Sequence, residues 1–262
     1  MIRRFVFVSL FAFAFLVIGK FCIKQTDGFT ICAIQSSRPI SDIWEPRPLS
    51  PAEKKEAEAA LENPYTYFGC GGQSFIFFSK DGKYVLKLFK QEKFHLPLWM
   101  RVFHIPYLLD RYRAKKIWSR EDKLFRDFTS YKIAFDELQD ETGLIYVHLN
   151  KTDAWKRKIR LIDRLNIEHR VDVDTLDFVI QKRAELVYER IIREMQAGDR
   201  RAAEKSISQI IALIVTRCQK GYHDRDPNIR TNCGFIGDHA VKIDVGRFVP
   251  SEEMKNREVT KR

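Results

Sequence analysis

Apolar positions along this chain change their spacing several times, and each change marks a different kind of element. Residues 5–19 (FVFVSLFAFAFLVIG) are apolar apart from Ser9 and follow Arg3 and Arg4. A run of about 15 residues is short for a spanning helix and suits a signal-peptide core or an uncleaved anchor. No A-x-A cleavage site follows, since Lys20, Phe21 and Cys22 come next. The expectation is therefore a single N-terminal signal anchor or signal peptide over residues 1–24, placing the protein at a membrane. Lys20, Lys24 and Arg38 offset the two leading arginines, so the side of the membrane is left open.

Residues 24–49 lose sustained periodicity and carry Pro39, Pro46 and Pro48, which reads as a linker. Ser50-Pro51-Ala52-Glu53 is a capping box with Pro at the first helical position, and Asn63-Pro64 ends the short helix it starts. Residues 25–64 are thus a linker with one helix. From 65 to 90 two β-rich runs flank Asp81-Gly82, a hairpin signal. Residues 121–141 have a helical pattern. Strand-like runs follow at 143–149, 158–163 and 177–181. Two helices come next. The second carries Ile207, Ile210, Ile211, Ile214 and Cys218 at helical spacing, and Gly221 stops it. Strands at 233–236 and 240–244 close the chain around Gly237-Asp238.

Composition limits the class. The chain has 262 residues, 45% hydrophobic and 13% aromatic, enough for one unit of two lobes or for two small domains. The formal net charge of +11 and a pI near 9.4 point to acidic partners such as phosphate or anionic lipid. Five cysteines with no CxxC pair give neither a disulfide framework nor a zinc site. Residues 94–118 interleave Trp99, Phe103, Tyr107, Tyr112 and Trp118 with Arg101, Arg111, Arg113, Lys115 and Lys116. Such a stretch either lies on an anionic lipid surface or packs its rings on the neighbouring sheet. No nucleic-acid motif accompanies the charge.

Four short motifs carry candidate chemistry. Gly69-Cys70-Gly71-Gly72-Gln73-Ser74 lies between two strands, where glycines let a backbone approach phosphate, although a plain tight turn also explains them. Lys87 lies between Leu86 and Leu88 in the next strand. Lys83 and Lys90 read as solvated. Residues 221–232 (GYHDRDPNIRTN) concentrate polar groups after the apolar helix. Asp244, between Ile243 and Val245, is costly at a strand end unless paired or metal-bound. Twelve residues separate Asn232 from Asp244, a hairpin's length that would bring them together.

In this order the motifs resemble the protein-kinase-like superfamily. Gly69, Gly71 and Ser74 fall on the glycine positions of its G-x-G-x-x-G loop, and Ile76 on the following valine. Val85-Leu86-Lys87 resembles the V-A-I-K strand, Arg225-Asp226 the catalytic-loop R-D, and Asp244-Val245-Gly246 the D-F-G. Phe178–Lys182 resembles the strand running into the hinge. The resemblance spans 65–248. It implies an α+β, two-lobed fold: an antiparallel N-lobe over 65–181 and a reduced helical C-lobe over 182–262. It implies ATP as substrate, with Gly69, Gly71, Gly72, Ser74 and Lys87 on its phosphates. Asn232 and Asp244 would hold Mg²⁺, Asp226 would orient or deprotonate the acceptor hydroxyl, and Arg230 could neutralise the transferring group.

The departures are specific. Asp224 replaces the usual histidine and is an alternative base. Asn232 follows Asp226 by six residues rather than five. Glu137 and Glu141 are the candidate helix partners of Lys87. No A-P-E segment follows. The expected function is a membrane-associated ATP-dependent phosphotransferase; the alternative is a nucleotide-binding pseudokinase acting as an interaction module.

Overall fold

The computed structural model describes residues 2–94 and 110–256. Its centre is a curled mixed sheet. Alternating apolar side chains set strands β1 (Pro64–Cys70), β2 (Ser74–Ser79) and β3 (Tyr84–Phe89). The β2–β3 turn forms where Gly82 takes φ 73°, and the Ser79 hydroxyl donates to Asp81 across 2.6 Å. Strands β4 (Leu144–His148), β5 (Lys158–Ile162), β6 (Glu168–Asp172) and β7 (Phe178–Lys182) complete an order β4-β7-β3-β2-β1-β5-β6. The sheet is not purely antiparallel, as the sequence had led us to expect. After β4 the chain crosses to the far edge, and β5 pairs with β1 in parallel, Tyr65 opposite Leu161. Strand β6 has no counterpart in the sequence reading, because EHRVD has one buried position, Val171, and an otherwise polar pattern.

Helices cover both faces. Helix α1 spans Ile2–Thr26, and α2 is a single turn, Ile31–Ile34. Helix α3 (Pro51–Glu62) starts on the expected capping box, with Ser50 and Glu53 bonded reciprocally. It buries Ala57, Ala60 and Leu61 against one sheet face together with Phe77, Leu86 and Ile180. Helix α4 (Asp110–Asp136) lays Phe128, Tyr131, Ala134 and Phe135 on the other face, against Phe89, Val147 and Val179. A short helix α5 (Gln139–Thr142) leads into β4 through Gly143, left-handed at φ 62°.

Below the sheet lies a smaller helical part. It holds β8 (Glu185–Leu186), α6 (Val187–Gln196) and α7 (Arg200–Gln219). Then come β9 (Tyr222–Asp224), the turn α8 (Ile229–Asn232), β10 (Cys233–Ile236), β11 (His239–Lys242) and β12 (Phe248–Pro250). Strand β10 pairs with β11 and β8, and β12 pairs with β9. Helix α7 buries Ile210 and Leu213, but Ile207 and Ile211 face solvent. Gly234 lies so close beneath the crossover that a Cβ there would meet the Glu185 carbonyl at 2.7 Å.

Three further expectations change. First, among the described residues no helix is long and apolar enough to cross a membrane, which overturns the transmembrane signal anchor. At 1.5 Å per residue the apolar run 5–19 covers only about 22 Å of a hydrocarbon core about 30 Å thick. The end of α1 is instead tied to the sheet part: Arg164 donates to the Lys24 carbonyl and pairs with Asp27 at 2.8 Å. Second, the stretch read as a linker is packed. Phe29, Ile34 and Trp44 are core residues, and Arg38 is buried against Asp177 at 2.7 Å. Its order comes from long-range contacts, which leave no periodic trace. Third, residues 95–109 of the aromatic, basic stretch lie outside the described residues. Of the remainder, Phe94 is buried against Phe89 and Phe128, and residues 110–118 form the first turns of α4, where Tyr112 and Trp118 are exposed.

Candidate functional site

The site is best built outward from β3. Leu86 and Leu88 point to the α3 side, so alternation sends Lys87 to the opposite face with Phe89. There it is buried, and its ammonium donates to the Ile243 carbonyl. Burial lowers its pKa below the usual lysine value, and neighbouring Asp244 partly offsets this. No carboxylate stands within ion-pair distance of it among the described residues. The acid expected from the helix is absent: Glu141 pairs instead with Lys220 at 2.7 Å, and the Glu137 carbonyl accepts from the same lysine. Tyr131 of α4 is close to Asp244. Burial, with Asp244 and Asp127, raises its phenol well above its usual range.

The β1–β2 hairpin arches over the same face. Gly71 N–H donates to the Ser74 carbonyl across 2.9 Å, closing the turn, and Ser74 itself is buried. None of Gly69, Gly71 and Gly72 is left-handed. A Cβ on Gly69 or Gly72 would meet nothing within 4 Å, and one on Gly71 only the Ser74 carbonyl at 3.8 Å. Gly69 follows an irregularity in the β1–β2 register, a recognised place for glycine. Neither strain nor crowding within the protein explains Gly71 and Gly72.

Lys90, read from sequence as solvated, is buried beneath this turn. Its ammonium donates to the Gly71 carbonyl at 2.8 Å and sits 4.8 Å from the Phe75 ring centroid. The signal missed was its place just beyond β3, where strict alternation ends. The turn also reaches the far side of the site: a Cβ on Gly246 would meet Gln73 Oε1 at 2.9 Å.

The loop 221–232 and the β10–β11 hairpin supply the other wall. The hairpin forms as expected, with Cys233 opposite Lys242. The Asn232 carbonyl accepts from Ile243 N–H at 2.8 Å, so Asn232 and Asp244 are brought side by side. Asn232 is buried, and its Oδ1 accepts from the Thr231 hydroxyl at 3.0 Å. Asp244 is exposed. Asp226 is half-buried; its N–H donates to Asp224 Oδ1, and its carbonyl accepts from Lys242 at 2.6 Å.

Asp224 is committed elsewhere. It is buried between Lys242 at 2.5 Å and Arg217 at 3.3 Å. Holding two cations and the Asp226 N–H, this carboxylate fastens the loop. Arg230 lies away from Asp244, with its guanidinium 4.6 Å from the Tyr188 ring.

The structure thus sets Lys87 against Ile243, Gln73 against Gly246 and Asn232 beside Ile243 and Asp244, while Arg230 stacks on Tyr188 instead. Lys90, Gln73, Lys242 and Tyr131 were not singled out from sequence. Among the described residues no group of three or more His, Cys, Asp or Glu side chains could hold a metal ion unaided. Asn232 and Asp244 offer neighbouring hard oxygens, a donor set that fits Mg²⁺ completed by water and phosphate. A scan against known protein families finds no match, and no curated protein matches the chain.

Proposed function

We propose that this chain is an ATP-dependent phosphotransferase of the protein-kinase-like kind, with the sheet as its upper lobe and the α6–β12 part as a reduced lower lobe. The observation that carries the reading is Lys87: a buried ammonium, without a carboxylate partner among the described residues, on the strand paired with the one that leaves the glycine turn. A buried cation of this kind needs an anion. The ATP phosphates supply it. Strand order adds support, since β3 runs between the glycine hairpin and β7, the strand leading to the crossover at Ala184 and Glu185.

On this reading Lys87 holds the α- and β-phosphates, and the glycine turn covers them. Lys90 keeps the turn down through Gly71. Asp226 orients the acceptor hydroxyl and takes its proton, while Asp224 fixes the loop that carries Asp226. Asn232 and Asp244 would hold Mg²⁺, which neutralises charge on the phosphate oxygens when bound.

The test uses the full chain. Mg-ATP should raise the unfolding temperature, and Lys87→Met should weaken ATP binding by about 1.5–3 kcal/mol. Asp244→Asn should abolish the Mg²⁺-dependent part. Asp226→Asn should keep ATP binding and lower transfer of labelled phosphate about 10²–10⁴-fold. Equal ATP affinity in wild type and Lys87→Met would remove the nucleotide from this site.

One observation favours a second reading, a nucleotide-binding pseudokinase that serves as an interaction module. No acid on α4 reaches Lys87 among the described residues. Wild-type protein that binds Mg-ATP but transfers phosphate to no acceptor would decide for it.

A further inference from the structure

Beside the Gly246 turn, the surface folds inward into a cavity of about 260 Å³. Its charged lining is Lys123, Arg126, Arg225 and Arg247 against one carboxylate, Asp127. Asp127 is buried and pairs with Lys123 at 2.8 Å, and Arg126 pairs outside the cavity with Asp122 at 3.2 Å. Arg225 and Arg247 have no carboxylate within ion-pair distance among the described residues. Pairing of β9 with β12 holds them opposite one another: Phe248 faces Asp224, and Arg225 N–H donates to the Arg247 carbonyl at 3.2 Å. Like charges directly across a strand pair oppose folding. Two guanidiniums set this way, with two more cations on the facing helix, form a cradle for an anion. Arginine forks match phosphate oxygens in pairs. The cavity is just below the range of about 300–1,000 Å³ for drug-sized ligands, so it suits a phosphate with a small organic group.

We propose that this cavity binds a phosphate-type oxyanion, and that the phosphotransferase's acceptor is a small phosphomonoester held here by its existing phosphate. The second half rests on the function proposed above; the first half does not. The location supports the link. Arg225 immediately precedes Asp226, and Gly246 lies two residues beyond Asp244, so an acceptor anchored here lies at the wall of the transfer site.

The experiment measures binding of inorganic phosphate and of glycerol 3-phosphate to the full chain by calorimetry at low salt. Phosphate binding should persist in Lys87→Met, which leaves the cavity's arginines in place. The pair Arg225→Gln with Arg247→Gln should weaken binding about tenfold or more, while Arg225→Lys with Arg247→Lys should recover most of it. Both arginines are exposed and make no side-chain hydrogen bond or ion pair within the described residues, so unliganded unfolding temperatures should be no lower than wild type. If the Gln pair does not fold, Arg247→Gln alone decides. Unchanged binding in the Gln variants, or binding abolished by Lys87→Met, overturns the site. Glycerol 3-phosphate binding at least as tightly as inorganic phosphate supports an ester-borne source. Binding of inorganic phosphate alone keeps the oxyanion site and overturns the phosphomonoester acceptor. Absence of Mg-ATP binding with phosphate binding intact would sink the phosphotransferase reading and leave the oxyanion site standing.

Discussion

Under the proposed function, Lys87 sets stability against ATP binding. Burial lowers its pKa below 10.5. Between the folded value and 10.5 the unfolded chain carries a proton that the folded chain lacks, so stability contributed at this site rises with pH through that window. Below the window the buried charge opposes folding. Lys87→Met should therefore stabilise the ligand-free protein by about 1–3 kcal/mol while weakening ATP binding. At roughly 2–4 °C per kcal/mol for a chain of this size, thermal unfolding near pH 8 would show it. A lower unfolding temperature in the variant would mean that the charge is compensated in place. Asp224 behaves oppositely. Asp224→Asn leaves Lys242 and Arg217 without their shared acid, at a cost of about 3–5 kcal/mol. Asp226→Asn should cost within about 0.5 kcal/mol, because Asp226 meets the buried Asp224–Lys242 network only through its backbone. Urea unfolding of the two variants separates fastening from chemistry, a distinction the letters Asp-Arg-Asp do not contain. Lys87 was legible because strand alternation sets it apart from Leu86 and Leu88. Lys90 was not, because its burial depends on a turn 19 residues upstream.

At the scale of elements, local signals were read well and partners were not. The capping box at Ser50 was visible in four letters, and it forms. What the sequence hid is that Glu53 also takes a two-pronged bond from Arg47, at 2.5 and 3.1 Å. The Arg47 bond lowers the Glu53 pKa from 4.5 to about 2. A depressed carboxylate contributes stability that is complete above the unfolded value and is lost as pH falls through the folded one. Glu53→Gln should thus cost about 1–2 kcal/mol at pH 7, after allowing for partial exposure, and only a small part of that near pH 2. Denaturant melts of both proteins at pH 7, 4 and 2 check this; a cost independent of pH would assign it to capping alone. Helix α4 shows the same limit. Its apolar spacing predicted a helix over 121–141, but not that its buried face would carry Asp127, Ser130 and Tyr131 toward the Asp244 turn. The Ser130 hydroxyl accepts from Phe248 N–H at 2.6 Å and donates to the Val245 carbonyl. Such a contact, across more than 100 residues, has no local signature.

For the whole molecule the least legible feature is the segment 27–49, whose aperiodic, proline-bearing sequence looked like a tether. It wraps the sheet instead. Phe29 packs edge-on to Phe75 and Phe77, Ile34 is fully buried, and Trp44 meets Phe128. Arg38 lies 4.3 Å from the Phe128 ring and pairs with Asp177, which also accepts from Gln91 at 2.7 Å. Asp177 N-terminally borders β7, and its carbonyl accepts from Phe89 N–H at the end of the Lys87 strand. The wrapping segment therefore braces the strand that carries the proposed phosphate-binding lysine. Two truncations separate a tether from a brace. Removing residues 2–26 leaves Asp27, with its bonds to Tyr67 and Arg164, in place. That variant should unfold cooperatively within about 1 kcal/mol of the full chain. Removing residues 2–49 strips three large core side chains, each worth about 2–5 kcal/mol, and leaves Asp177 buried without its cation, about 3–5 kcal/mol more. The sum reaches the roughly 5–15 kcal/mol that holds a domain together. The shorter chain should therefore show no cooperative transition and no Mg-ATP response. If it unfolds at the urea midpoint of the full chain, residues 27–49 are a tether and the strand carrying Lys87 stands without them.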